Sequence, residues 1–131
     1  MRGKLNIQIA SDLHLDQMKI YKKEKLIYPE GDILILSGDI CHISEIEKHR
    51  LFFQYLDENF QYVIYVPGNH EFYNDSGTTI EESEKILRNF LLDNFKNFIY
   101  LNNESVLIEK FLISALSIFC KFKQLIYNLL Y

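Results

Sequence analysis

The stretch Gly-Asp-Ile-Leu-Ile-Leu-Ser-Gly-Asp, residues 31–39, decides the fold. Four consecutive aliphatic residues, Ile33-Leu34-Ile35-Leu36, are bounded by Gly31-Asp32 on one side and Ser37-Gly38 on the other. An apolar run of strand length with no polar face is typical of a strand covered on both faces, as in a parallel sheet. Upstream, Leu5, Ile7 and Ile9 alternate with Asn6 and Gln8, which predicts a strand with one apolar face ending near Ser11. Downstream, Tyr62–Val66 is a second continuous run, stopped by Pro67-Gly68. Helical signals lie between and after these strands. Ser44 followed by Glu47 reads as a capping box, and Ile46, Phe53, Leu56 and Phe60 follow at helical spacing. Thr79 with Glu82 repeats the device ahead of Ile80, Leu87, Phe90, Leu91 and Phe95. Residues 98–101 and 106–109 read as two short strands around an Asn102-Asn103 turn. Strand and helix alternate, which predicts an α/β layered fold with no internal repeat or linker.

The composition is that of one domain able to bury a core: 131 residues, 48% hydrophobic and 15% aromatic. It excludes a disordered tail. With 18 acidic against 14 basic residues and a formal charge of −4, the whole-chain field gives no signal for nucleic acid. The two cysteines, Cys41 and Cys120, are too few for a disulfide scaffold and lack metal-type spacing, so a reduced, cytoplasmic chain is the expectation. The N-terminus has too short an apolar stretch for a secretory signal. Residues 111–120 carry no charge, but Lys121 and Lys123 interrupt the run before the roughly 20 residues that a spanning helix needs. Buried strand or helix is the expectation there, not a membrane span.

Polar chemistry is concentrated where the apolar strands stop. The three stops are residues 11–16 (Ser-Asp-Leu-His-Leu-Asp), 37–40 (Ser-Gly-Asp-Ile) and 67–71 (Pro-Gly-Asn-His-Glu). Ligands of open α/β sheets bind beyond the carboxyl ends of strands, so these clusters are expected to converge. In an extended segment, Asp12 and His14 would point to the same side and could grip one cation. A carboxylate with an imidazole suits Mn, Fe or Zn better than Ca or Mg. The alternative for this pair is a solvated turn. Asp39 follows Gly38 at the mouth of the sheet and could bridge two metals, or it could be an ordinary turn aspartate. Asn69 offers a neutral carbonyl ligand, while His70 can give a proton or hydrogen bond to a leaving oxygen; a solvated loop histidine is the alternative.

Taken together, these segments resemble the N-terminal portion of the calcineurin-like metallophosphoesterase family. That family's pattern runs Asp-x-His, Gly-Asp, then Gly-Asn-His-Asp/Glu. Here it reads as residues 12–14, 38–39 and 68–71, in the same order, at similar intervals and each at a strand end. The resemblance implies a β-sandwich flanked by helices and a two-metal site that hydrolyses phosphomonoesters or phosphodiesters by hydroxide attack. Asp12 and His14 would bind one metal, Asp39 would bridge, and Asn69 would bind the second. The metals would be Mn, Fe or Zn. His70 would be the acid, and Glu71 would orient the site.

The sequence also departs from the family pattern. The family supplies further histidine ligands in its second half, whereas the four histidines here are His14, His42, His49 and His70. Asp12, His14, Asp39 and Asn69 alone would leave two cations short of ligands. His42 could approach the site; His49, among Glu47, Lys48 and Arg50, reads as solvated. Residues 1–110 therefore read as the N-terminal part of a metallophosphoesterase domain. Residues 111–131 read as an apolar tail, either out-of-frame translation after a truncation or a divergent helix. A truncated, inactive remnant or metal-binding module is the competing function. Substrate identity and oligomeric state are not encoded in any motif.

Overall fold

In a computed structural model, which describes residues 4–73 and 77–116, the apolar runs become strands of a parallel sheet. β1 (Ile7–Ala10), β2 (Ile33–Ser37), β3 (Tyr62–Val66) and β4 (Phe98–Tyr100) lie side by side in that order. Every neighbouring pair is parallel, with Ile7 opposite Ile33, Ile33 opposite Tyr62 and Val63 opposite Phe98. Sequential parallel strands joined by right-handed crossovers place all their connections on one face. That face carries α1 (Lys23–Leu26), α2 (Arg50–Asn59) and α3 (Ile80–Asn94).

The pleat divides the core in two. Leu34, Leu36, Val63, Tyr65, Phe98 and Tyr100 face the helices and pack with Phe52, Phe53, Leu56, Leu87 and Leu91. Ile33 and Ile64 face the other way, where β5 (Glu104–Ile108) and β6 (Phe111–Ala115) form an antiparallel hairpin that contributes Ile108 and Ala115. The molecule is thus a helix layer, a parallel sheet and a two-stranded ribbon, an α/β arrangement. Because the sheet is parallel, the three polar stops emerge on the same edge.

Three local expectations change. The helix expected from Ser44 starts later: residues Ile43–His49 form a 3-10 stretch, and α2 begins at Arg50. His42, not Ser44, caps it, accepting the Ser44 amide through its side chain. The Thr79–Glu82 capping box forms as read. The strands around Asn102-Asn103 exist but do not pair with each other. β4 extends the parallel sheet, whereas β5 leaves for the ribbon and turns at Glu109-Lys110, with Glu109 at φ 53°. The segment Phe111–Ala115, at the head of the apolar tail, is β6; residues 117–131 lie outside the described residues. No helix among the described residues is long and apolar enough to cross a membrane.

Candidate active site

The loops after β1 and β2 are stitched together by main-chain hydrogen bonds. The amides of Asp12, His14 and Leu15 donate to the carbonyls of Gly38, Asp39 and Ile40 at 3.0, 3.1 and 2.9 Å. The loop after β3 joins through the His70 amide, which donates to Asp39 Oδ1 at 2.9 Å. Gly38 and Gly68 make this closeness possible. A Cβ on Gly38 would lie 3.0 Å from Gly68 Cα, and one on Gly68 would lie 2.7 Å from the Asp39 amide nitrogen and overlap the Asp39 carboxylate. Side chains at either position would push the second and third loops apart.

Asp12, His14 and Asp39 do not sit on extended backbone. All three occupy the left-handed region, at φ 54°, 46° and 55°. The same-side geometry expected of Asp12 and His14 in a strand is therefore replaced by two sharp turns. Residues other than glycine rarely adopt this conformation, which costs of order 1–3 kcal/mol at each position and persists where the surroundings enforce it. Here the enforcement comes from the cross-loop hydrogen bonds. The result brings three ligand atoms, one each from Asp12, His14 and Asp39, within 4.8 Å of one another.

This group fits a divalent cation. Two carboxylates and an imidazole are the donor set of a first-row metal. His14 Nδ1 is buried and has no hydrogen-bond partner. A buried orphan nitrogen costs about 1–3 kcal/mol, a penalty that a ligand would remove. Among the described residues no other cluster of three such side chains forms. Asn69 stands at the head of the 3-10 turn His70–Phe72, its amide nitrogen donating to the Tyr73 hydroxyl at 2.6 Å. The His70 ring lies edge-on to that of His14, with centroids 4.5 Å apart.

Two carboxylates in these loops do more than the motif spacing indicated. Asp16, the last residue of the first polar stop, receives His70 Nε2 at 2.9 and 3.1 Å through its two oxygens. Its Oδ1 also accepts the His42 amide at 2.9 Å. Burial alone would raise the Asp16 pKa, but the hydrogen bonds from the His42 amide and from His70 outweigh it and hold the carboxyl below its ordinary value. Nothing local marks Asp16, since its partner is 54 residues away.

Glu71 is fully buried. Its Oε2 accepts the amides of Asp39 and Gly68 at 3.1 and 2.8 Å, and its Oε1 accepts the Ile40 amide at 2.8 Å and the Tyr65 hydroxyl at 2.9 Å. Burial, then the charge of Glu71, pushes the Tyr65 phenol well above its usual range, so Tyr65 remains a donor. One carboxylate thereby ties the second and third loops to the sheet. Glu71→Gln puts an NH2 group where only acceptors fit and is expected to cost about 3–5 kcal/mol. A urea melt reads that loss, and an unchanged midpoint would refute this role for Glu71.

The remaining histidines separate clearly. The His42 ring centroid lies 5.9 Å from that of His70, but its Nδ1 is engaged by the Ser44 hydroxyl at 2.7 Å and it is not in the ligand cluster. His49, expected to be solvated, is buried: Tyr21 from the first crossover covers it, and its Nδ1 meets the Tyr21 hydroxyl at 2.8 Å. Desolvation lowers the His49 pKa, partly opposed by Asp16 and Glu45. Cys41 is free and buried, and burial followed by the nearby Asp16 and Glu71 carboxylates raises its thiol pKa, so it is no nucleophile.

The sequence profile of the calcineurin-like phosphoesterase family matches residues 5–129. The chain belongs to this family. An uncharacterised protein of Acanthamoeba polyphaga mimivirus is 29% identical over 109 residues, which is 75% of this chain and 38% of that protein. The chain therefore spans about two fifths of the length of the curated relative it matches. No solved structure gave a significant match. In a calcineurin-like phosphoesterase the chemistry is metal-dependent cleavage of phosphate esters, and Asp12, His14 and Asp39 form a group able to hold such a metal.

Proposed function

We propose that the protein hydrolyses phosphate monoesters or diesters using two divalent cations drawn from Mn, Fe or Zn. The observation that carries this reading is the convergence of Asp12, His14 and Asp39 within 4.8 Å, beside a histidine already paired with a carboxylate. Asp12 and His14 would hold one cation, Asp39 would be shared, and Asn69 would offer its carbonyl oxygen to the second, its nitrogen being taken by Tyr73. When bound, such cations acidify a water and neutralise charge on the non-bridging phosphate oxygens.

The remaining work belongs to the chain's own side chains. In hydrolysis a water oxygen bonds to phosphorus, the ester P–O bond breaks, and the leaving oxygen takes a proton. His70 would supply that proton. Its Nε2 is held by Asp16, so Nδ1 is the ring nitrogen left to reach the leaving group. Asp16 holds Nε2 through both carboxylate oxygens and so fixes the orientation of the ring. The His70 amide on Asp39 Oδ1 sets the spacing between the acid and the metal group.

The test is hydrolysis of propyl phosphate and dipropyl phosphate, whose alkoxide leaving groups need a proton, with added Mn, comparing wild type with His70→Ala. Metal-dependent turnover that falls about 100-fold or more in the variant supports the assignment. Equal rates in the two proteins would remove His70 from the reaction. Metal binding without any turnover would instead identify the protein as a metal-binding module.

A further inference from the structure

Bordering Asp16 the surface opens into a groove of about 620 Å³, built largely from the crossover after β1 and the 3-10 stretch before α2. Asp16 lines this groove while holding His70, so the groove begins one side chain away from the proposed acid. The leaving group at His70 Nδ1 lies across the imidazole ring from this wall, so a leaving group long enough to pass the ring reaches the space. Its charge differs from that of the molecule as a whole. The chain carries −4, yet Lys19, Lys22, Lys23 and Lys48 all line the groove. Two of these are engaged: Lys23 lies 3.9 Å from Glu24, and Lys48 pairs with Glu45. Lys19 and Lys22, both exposed, have no carboxylate partner among the described residues.

The floor is built rather than incidental. Tyr21 lies between the two unpaired lysines in sequence, and its hydroxyl is held by buried His49, their rings stacked with centroids 5.6 Å apart. Burial pushes the Tyr21 phenol up to about 12, so it stays neutral and adds no negative charge to the groove. A cleft with unneutralised cations at its rim and a neutral, rigid aromatic floor attracts an organic anion.

We propose that the groove receives the leaving group, and that the preferred substrates are phosphate esters whose leaving group carries a second phosphate. This rests on the hydrolytic reading above, with Lys19 and Lys22 determining specificity by pairing with that second phosphate. The charge carries the argument, so a purely apolar leaving group gains nothing from the groove.

Two matched substrate pairs test it: AMP against adenosine bisphosphate, and propyl phosphate against propanediol bisphosphate. In wild type the bisphosphate of each pair should show the lower KM. In the Lys19→Glu/Lys22→Glu variant the KM ratio of bisphosphate to monophosphate should rise roughly tenfold, a change of about 1.4 kcal/mol. Lys25→Glu changes the same charge on the same crossover but outside the groove, and should move the ratio far less. A ratio that is unaffected, or that shifts equally with Lys25→Glu, overturns the proposal. A preference confined to the adenosine pair also overturns it, since the base rather than the second phosphate would then be recognised. Should no substrate turn over, the hydrolytic reading fails separately. Calorimetric titration with propanediol bisphosphate then decides the groove: binding to wild type that is lost in the double variant sustains it, and no binding to wild type ends it. The milder Lys19→Gln/Lys22→Gln variant should show the same direction and covers the case in which charge reversal perturbs folding.

Discussion

Replacing Asp39 with Asn is expected to weaken binding of Mn or Zn by about 100-fold or more, and to remove metal-dependent turnover with it. Loss of an outer-sphere partner alone typically costs 10–100-fold in affinity, and Asp39 belongs to the ligand group itself. The substitution is a clean one. An asparagine keeps an Oδ1 that can accept the His70 amide, the 2.9 Å bond joining the second and third loops. The loop hydrogen bonds made by the Asp39 main chain to His14 and Glu71 are untouched. What disappears is one negative charge and one ligand oxygen. Titration calorimetry reads the affinity directly, and thermal melting gives a second measure. A bound ion at about 100 times its dissociation constant stabilises the fold by ~2.7 kcal/mol, so wild type should gain stability on adding metal and Asp39→Asn should gain far less. An unchanged stoichiometry and affinity in the variant would sink the assignment of Asp39.

The layering of the sheet could be read from the chain because it depends on short apolar runs. Ile33-Leu34-Ile35-Leu36 has no polar face, and the structure puts two of those side chains on the helix side and Ile33 on the ribbon side. The convergence of three strand ends follows from parallel pairing alone. What could not be read is contact between residues far apart in sequence. His49 looks solvated among charged neighbours, but Tyr21, 28 residues earlier, covers it. Asp16 looks like one more loop acid until His70 is brought against it. Ser44 and Glu47 satisfy the capping-box pattern, but His42 occupies the cap because its amide is anchored to Asp16. Motif spacing located Asp12 and His14, whereas their left-handed backbone is imposed by carbonyls of Gly38 and Asp39 on another loop. Glu71 lies between these cases. The family resemblance implied an orienting role for it, while the four donors it accepts come from three separate segments.

Asp16→Asn should slow the proposed hydrolysis in proportion to how badly the leaving group needs a proton. If Asp16 holds and orients His70 as the acid, its loss matters little for p-nitrophenolate, which departs unprotonated. It matters most for an alkoxide, whose departure without a proton is uphill. General-acid assistance is worth about 10²–10⁴-fold, so the loss on an alkyl phosphate should approach that range while the loss on p-nitrophenyl phosphate stays within a few-fold. His70→Ala should show the same gradient, and the double variant should be little worse than either single one, because the two side chains act as a unit. Asp16→Glu, which keeps the charge, should recover part of the alkyl-ester rate. Nitrogen-15 chemical shifts of the His70 ring supply a readout independent of turnover: the Nε2 proton seen by Asp16 in the wild-type geometry, at 2.9 and 3.1 Å, should lose its carboxylate signature in Asp16→Asn. A variant that loses equal activity on both leaving groups would show Asp16 to be acting on the fold through its bond to the His42 amide. The pairing with His70 would then be a consequence of packing rather than part of the chemistry.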